Sequence, residues 1–228
     1  MTPTFPVFDV AEIAEEAAER AGVEFRSGGI LRSARRSIEL LSIEWGNRGL
    51  NLWTVEPGSI DLQKDVAEYM LPDDTIDLIE HSVRYWSLDS GRPTDFPLAR
   101  VSIDEYGVIP GKLYEGRPTS IYIKRRIQPS FLLWPVPDRD DYYQVVFARL
   151  RRMASVGTGG VGQPELPFRF VPAMIAGLAF YLALKSTDPA VQQRVPMLKA
   201  AYEEQFTLAS DEDRDRASVR WVPWSYRI

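Results

Sequence analysis

The chain has 228 residues, a net charge of −5 and no cysteine, with 45% hydrophobic and 11% aromatic residues. Its length and composition describe a folded protein of one large domain, or one domain set within another, and exclude a disordered chain, a disulfide framework, thiolate metal sites and a cysteine nucleophile. An isoelectric point near 5.1 argues against a protein that grips duplex DNA, which needs a basic excess to neutralise phosphates, but it suits a surface that DNA slides past.

The N-terminal residues Met1 to Val10 lack the basic region and apolar run of a signal peptide. The first predicted helix is "DVAEIAEEAAERAG". Asp9 is its expected N-cap with Glu12 three residues on, a variant of the capping box, and Gly22 its stop. Ile13, Ala14, Ala17, Ala18 and Ala21 give its apolar stripe. The second helix is "SGGILRSARRSIELLSIEWGNRG", with Ile30, Leu31, Ala34, Ile38, Leu41 and Trp45 at helical spacing. Arg32, Arg35, Arg36 and Glu39 lie largely off that stripe, and Gly46 or Gly49 ends the helix.

From Leu52 to Arg152 the signals become short, alternating or aromatic runs broken by Pro, Gly and Asp. Candidate strands are "LWTVEPGSIDL", "AEYML", "TIDLIEHSVRYWS", "TSIYIKRR", "SFLLWPV" and "YYQVVFARLRR". A short helix, "SIDEYGVI", capped by Ser102, interrupts them, and the region reads as a small antiparallel sandwich or barrel. After a glycine- and proline-rich loop the helical signal returns. "VPAMIAGLAFYLALK" is apolar almost all round and predicts a buried central helix with Pro172 in its first turn. Its apolar run, Val171 to Leu184, is about 14 residues, short of the roughly 20 a bilayer span needs. The last helix, "VPMLKAAYEEQFTLASDEDRDRA", buries Leu198, Tyr202, Phe206 and Ala209.

The order of these elements predicts an α+β fold: a four-helix bundle of two N-terminal and two C-terminal helices, carrying an inserted antiparallel β domain. The boundaries are residues 1–50 and 168–217 for the bundle, 51–153 for the β domain, 154–167 for the loop and 218–228 for a C-terminal aromatic tail.

The loop contains Gly157-Thr158-Gly159-Gly160-Val161-Gly162, a literal G-x-G-x-x-G. A dinucleotide site needs a helix that starts within the motif, so that the pyrophosphate sits on its N-terminus. Pro164 and Pro167 block a helix there. Gly157, Gly159, Gly160 and Gly162 are therefore read as a mobile loop that a neighbouring subunit or partner orders. The single histidine, His81, sits on a predicted strand face with Ile79 and Val83 and reads as structural. With one histidine and no cysteine no cofactor or metal is expected. The carboxylate pairs Glu15/Glu16, Asp73/Asp74, Asp140/Asp141 and Glu203/Glu204 leave open one alternative, a muralytic hydrolase, which would need two acids across a cleft.

Three basic clusters stand out: Arg32-Arg35-Arg36, Lys124-Arg125-Arg126 and Arg149-Arg151-Arg152. Basic patches that meet acidic patches on neighbouring copies account for them better than nucleic acid does. Trp221, Trp224 and Tyr226 crowd the C-terminus, where aromatic residues suit docking on another subunit; the competing reading folds them back on the β domain.

The blocks "WGNRGLNLW" and "PFRFVPAMIAGLA", with "EYMLPDDTIDLIE", "GRPTSIYIKR" and "LKAAYEEQFTLASDEDRDRA" in order along nearly the whole chain, resemble the head-to-tail adaptor proteins of short-tailed bacteriophages, the tail tubular A-type or tail accessory proteins. One departure is the turn after "SIDL", often glycine-containing in such proteins and here Gln63-Lys64-Asp65-Val66. The resemblance implies a virion structural protein of the neck, made in the host cytoplasm and without catalytic residues. It implies a homo-oligomeric ring of twelve copies between the portal and the tail nozzle, with tail fibres as further partners, no membrane, and genome DNA passing through the lumen without sequence-specific binding. Arg32, Arg35, Arg36, Trp221, Trp224 and Tyr226 are the residues expected at the portal or subunit interface.

Overall fold

The computed structural model describes residues 8–24, 28–49, 52–86, 91–155 and 162–212. The chain divides into two compact units, one of Met1–Leu50 with Ala154–Ile228 and the other of Asn51–Met153.

In the first unit, helix α1 (Val10–Ala21) starts with a reciprocal capping box. The Glu12 N–H donates to Asp9 Oδ1 at 2.8 Å and the Asp9 N–H to Glu12 Oε2 at 2.9 Å. It ends at Gly22, whose φ of 76° lets the Val23 N–H reach back to the Ala18 carbonyl at 2.9 Å. Helix α2 (Gly28–Asn47) buries Ala34, Ser37, Ile38, Leu41 and Trp45. Helix α4 (Val171–Lys185) follows a 3₁₀ turn at Phe168–Phe170. A short helix α5 (Pro189–Gln192) leads to α6 (Val195–Glu212), which buries Leu198, Tyr202, Phe206 and Ala209.

Helix α4 is the hub of this unit, with α1, α2 and α6 packed around it. It has no polar face to turn to water, so burial on several sides is the stable arrangement for it. The span Phe168–Lys185 has the length and apolarity of a membrane-crossing helix, but 56% of it is buried by its neighbours. Gly177 sets the closest approach. A Cβ there would lie 2.9 Å from both Leu41 Cδ2 and Tyr202 Cε2. Around Trp45, the Phe170 and Phe206 rings stand 5.5 and 5.9 Å away. Glu44 accepts from the Tyr181 hydroxyl at 2.9 Å and the Tyr202 hydroxyl at 3.1 Å. Arg48 forks onto Glu203 at 2.7 and 2.9 Å, with its guanidinium 4.4 Å from the Phe206 ring centre.

The second unit holds two four-stranded sheets. The first runs in the order β1 (Val55–Asp61), β8 (Tyr143–Arg151), β3 (Thr75–Trp86), β4 (Pro93–Pro97), all antiparallel. The second runs β2 (Glu68–Met70), β7 (Ser130–Trp134), β6 (Ser120–Lys124), β5 (Ala99–Arg100), and its β5–β6 pair is parallel. Both sheets feed one core, with Leu62, Leu78, Val83, Ile121, Phe131 and Val145 among its members. Helix α3 (Ile103–Gly107), capped by Ser102, joins β5 toward β6. The glycine-free turn after β1 still reaches the left-handed region, at Asp65 with φ 61°, where a short polar side chain is tolerated.

The expected four-helix bundle with an inserted antiparallel β domain is corrected by this architecture. The described residues form six helices and two four-stranded sheets in an α+β fold whose core is largely the work of the sheets. The helices do not make four equal staves, because α4 is a buried hub and α3 and α5 are short extras. Nor is the strand pairing wholly antiparallel. Two strands escaped the sequence reading. Pro93–Pro97 is bounded by prolines, which suit only a sheet edge, and Ala99–Arg100 is two residues long. On β3 the register shifts between Leu78 and Glu80, so Ile79 is 54% exposed while Val83 is fully buried. They do not share the face that simple alternation assigned to them with His81.

Candidate functional site

Two of the three basic clusters pair two of their three members each inside the second unit. Arg149 donates to Glu56 Oε2 at 2.8 Å and to Thr75 Oγ1 at 3.1 Å, and pairs with Asp74; Arg151 pairs with Glu56. These guanidinium groups hold the Glu56 carboxyl, through Arg151 first and then Arg149, and the Asp74 carboxyl, through Arg149, below the ordinary range. Lys124 donates to Glu68 at 2.8 Å, and Arg125 lies 3.7 Å from Asp77. Glu56 stands opposite Arg149 on the antiparallel neighbour β1, Glu68 reaches Lys124 from two strands away, and Asp77 reaches Arg125 from the other sheet, pairings that the fold determines and linear sequence conceals.

The third cluster is different. Arg32 and Arg36 are exposed on α2 and have no carboxylate partner among the described residues. Arg35 is half-buried, and its Nε is buried without an acceptor. Beside them Lys185 Nζ donates to Ser37 Oγ at 2.7 Å and Ser33 Oγ at 3.0 Å, and it has no carboxylate partner among the described residues. Burial first, and the charge of Arg36 second, push the Lys185 ammonium below the usual lysine range. Continuing along the same helix face, Leu40 and Ile43 are 51% and 61% exposed. The spacing 32, 36, 40, 43 is one i, i+4, i+8, i+11 stripe, so two cations and two apolar side chains share an outward face.

A groove of about 600 Å³ lies between α1 and α4 in the same unit. Phe8, Phe168, Val171, Pro172 and Ile175 form its apolar part. Phe168 is 83% exposed. Glu12, Glu15, Glu16 and Glu19 of α1 line its other side, with Arg20, which pairs with Glu16 at 2.7 Å. Sequence reasoning missed this groove. Phe168 and Pro172 read as the start of a helix, and the acidic i, i+3, i+4, i+7 face of α1 reads as ordinary solvated surface.

Of the other expected site residues, Trp221, Trp224, Tyr226, Gly157, Gly159 and Gly160 lie outside the described residues. Gly162 is described, and its carbonyl accepts from the Val10 N–H at 3.0 Å, at the start of α1. The helix after the glycine run begins only at Val171, so the last glycine is not in its first turn, where a dinucleotide phosphate site requires it. His81 is half-buried with Nδ1 unpartnered, and burial, then Arg100, push its pKa down. Of the acids weighed as a hydrolytic pair, Asp74 and Glu203 are committed to Arg149 and Arg48, and Asp140 Oδ1 accepts from the Lys64 N–H at 2.8 Å. Among the described residues no group of three or more His, Asp or Glu is placed to hold a metal ion.

The structure thus presents charged, partly apolar surfaces, the equipment of a protein that binds other proteins. Comparison with curated proteins returns no match. A family model described as SU10 adaptor protein matches residues 9–225, nearly the whole chain. The chain therefore belongs to the SU10 adaptor protein family and is a structural adaptor of a bacteriophage virion.

Proposed function

We propose that this adaptor forms a ring, of twelve copies, that joins the portal at the base of the phage head to the tail nozzle and lines part of the channel through which the genome leaves. The observation that carries the reading is the extent of the family match, residues 9–225, which spans both compact units rather than one module. An acidic balance supports it, since like charge keeps DNA from sticking to a conduit. On this reading the C-terminal segment with Trp221, Trp224 and Tyr226 engages the portal, and the loop at Gly157–Gly162 is ordered by a neighbouring copy or by the portal. The work required is recognition and force-bearing, and no bond need be made or broken.

Electron microscopy of virions tests the reading: a rotationally symmetric ring of this chain between portal and tail supports it, and absence of the chain from the neck defeats it. Truncation at Ala217 should leave the fold intact and abolish portal docking. A truncated chain that still docks removes the assignment of the tail.

A further inference from the structure

The helical unit displays two surfaces of opposite charge, each with an apolar centre. One is the α1–α4 groove, rimmed by Glu12, Glu15, Glu16 and Glu19. The other is the α2 stripe of Arg32, Arg36, Leu40 and Ile43, with Lys185 beside Arg36. We propose that the groove of one copy receives the α2 stripe of the next copy around the ring.

Three observations point to a second copy as the occupant. First, Arg32 and Arg36 are exposed and have no carboxylate partner among the described residues, whereas Arg20, Arg48, Arg84, Arg100, Arg149 and Arg151 are paired. Each of those pairs is made within the chain, so Arg32 and Arg36 are left free to meet a carboxylate from outside. Second, Glu15 and Glu19 on the groove rim are equally without a cationic partner among the described residues. The chain carries both halves of the missing pairs. Third, each charged set flanks exposed apolar side chains, Phe168 and Pro172 on one side and Leu40 and Ile43 on the other, so contact buries oil as well as pairing charge.

The geometry of assembly follows from the charges. A two-fold contact centred on either surface alone would set acid against acid or base against base, and is repulsive. Groove on stripe is head-to-tail, and a head-to-tail contact closes into a ring when its rotation allows. This inference deepens the ring reading above and rests on it.

Charge exchange tests it. The variant Glu15→Lys/Glu19→Lys reverses the groove, and Arg32→Glu/Arg36→Glu reverses the stripe; none of these side chains has a salt-bridge partner among the described residues. Sedimentation velocity at roughly 100 mM salt should show each variant alone self-associating about tenfold more weakly than the unaltered chain. An equal mixture of the two variants should recover assembly, because each then offers the other a matched surface. Unchanged thermal melts confirm that the fold is kept. If the unaltered chain assembles and neither reversal weakens it, or the mixture fails to recover, this interface is overturned and the ring stands on other contacts. An unaltered chain that stays monomeric up to its solubility limit overturns self-assembly of the free chain and this interface with it. Deletion after Glu212 should leave self-association unchanged; if it weakens assembly as much as groove reversal does, the basic aromatic tail is the occupant and the α2 stripe is not.

Discussion

Trp45 Nε1 donates to Tyr202 Oη at 2.8 Å in the interior of the helical unit, tying α2 to α6 across residues 157 positions apart in the chain. Trp45 is fully buried and Tyr202 only 1% exposed, so neither polar atom has water as a substitute partner. The Tyr202 hydroxyl donates a hydrogen bond to Glu44 Oε1 at 3.1 Å, and burial pushes its pKa well up.

Tyr202→Phe should therefore leave the indole N–H buried and unpaired and cost about 1–3 kcal/mol. Trp45→Phe in the same background should cost less than the sum of the two single changes, because both remove one bond. Urea unfolding followed by far-ultraviolet circular dichroism measures both.

Gly177→Ala sets two effects against each other. Alanine is the better helix former by about 1 kcal/mol. Its Cβ, however, would stand 2.9 Å from Leu41 Cδ2 and from Tyr202 Cε2, and the Tyr202 ring is pinned by its bond to Trp45. Overpacking of this kind costs about 1–3 kcal/mol, so the variant should melt at a lower temperature. A melting temperature equal to or above that of the parent would show that α2 and α6 can yield.

Acid should loosen the strand unit through Glu56 and Asp74. Their folded pKa values lie below the unfolded ones because Arg151 and Arg149 stabilise the carboxylates. A depressed folded pKa gives stability that is present above the unfolded value, near pH 4, and lost as pH falls through the folded value. The unfolding midpoint of this unit should hold between pH 5 and 7 and decline below about pH 4. Arg149→Met should flatten that decline, and added salt should shrink it, since both acids are partly exposed. A midpoint that falls as steeply in Arg149→Met would assign the acid sensitivity to other groups.

Asp9→Ala removes half of the capping box at α1 and should cost about 0.5–2 kcal/mol. Amide exchange should show the loss concentrated at the first turn of α1. Because that helix carries the acidic rim of the groove, self-association should weaken with it even though Asp9 is not one of the rim residues.

Much of the fold is legible in single residues. Leu198, Tyr202, Phe206 and Ala209 mark the buried face of α6, and Asp9 with Glu12 marks the start of α1, because both signals are local. The hub position of α4 is only half legible: an all-round apolar helix announces burial but not which helices surround it, and reading four equal helices in chain order produced the wrong bundle. Ile79 was misplaced because a register shift breaks the period of two. At the site, the arginines of α2 were visible and their lack of partners was not. Arg149 and Arg151 look the same in sequence, and only the neighbouring strands supply the acids that neutralise them.

Helix α4 has 15 residues, a rod of about 22 Å at 1.5 Å per residue. It touches α1, which carries the groove rim, and α2, which carries the basic stripe. A tension applied at one of these faces reaches the other through this dry strut as well as through the direct α1–α2 contact, without passing through a loop. In a closed circle of such subunits the struts would act like the links of a hoop, sharing outward pressure around the circumference so that no one contact bears it alone.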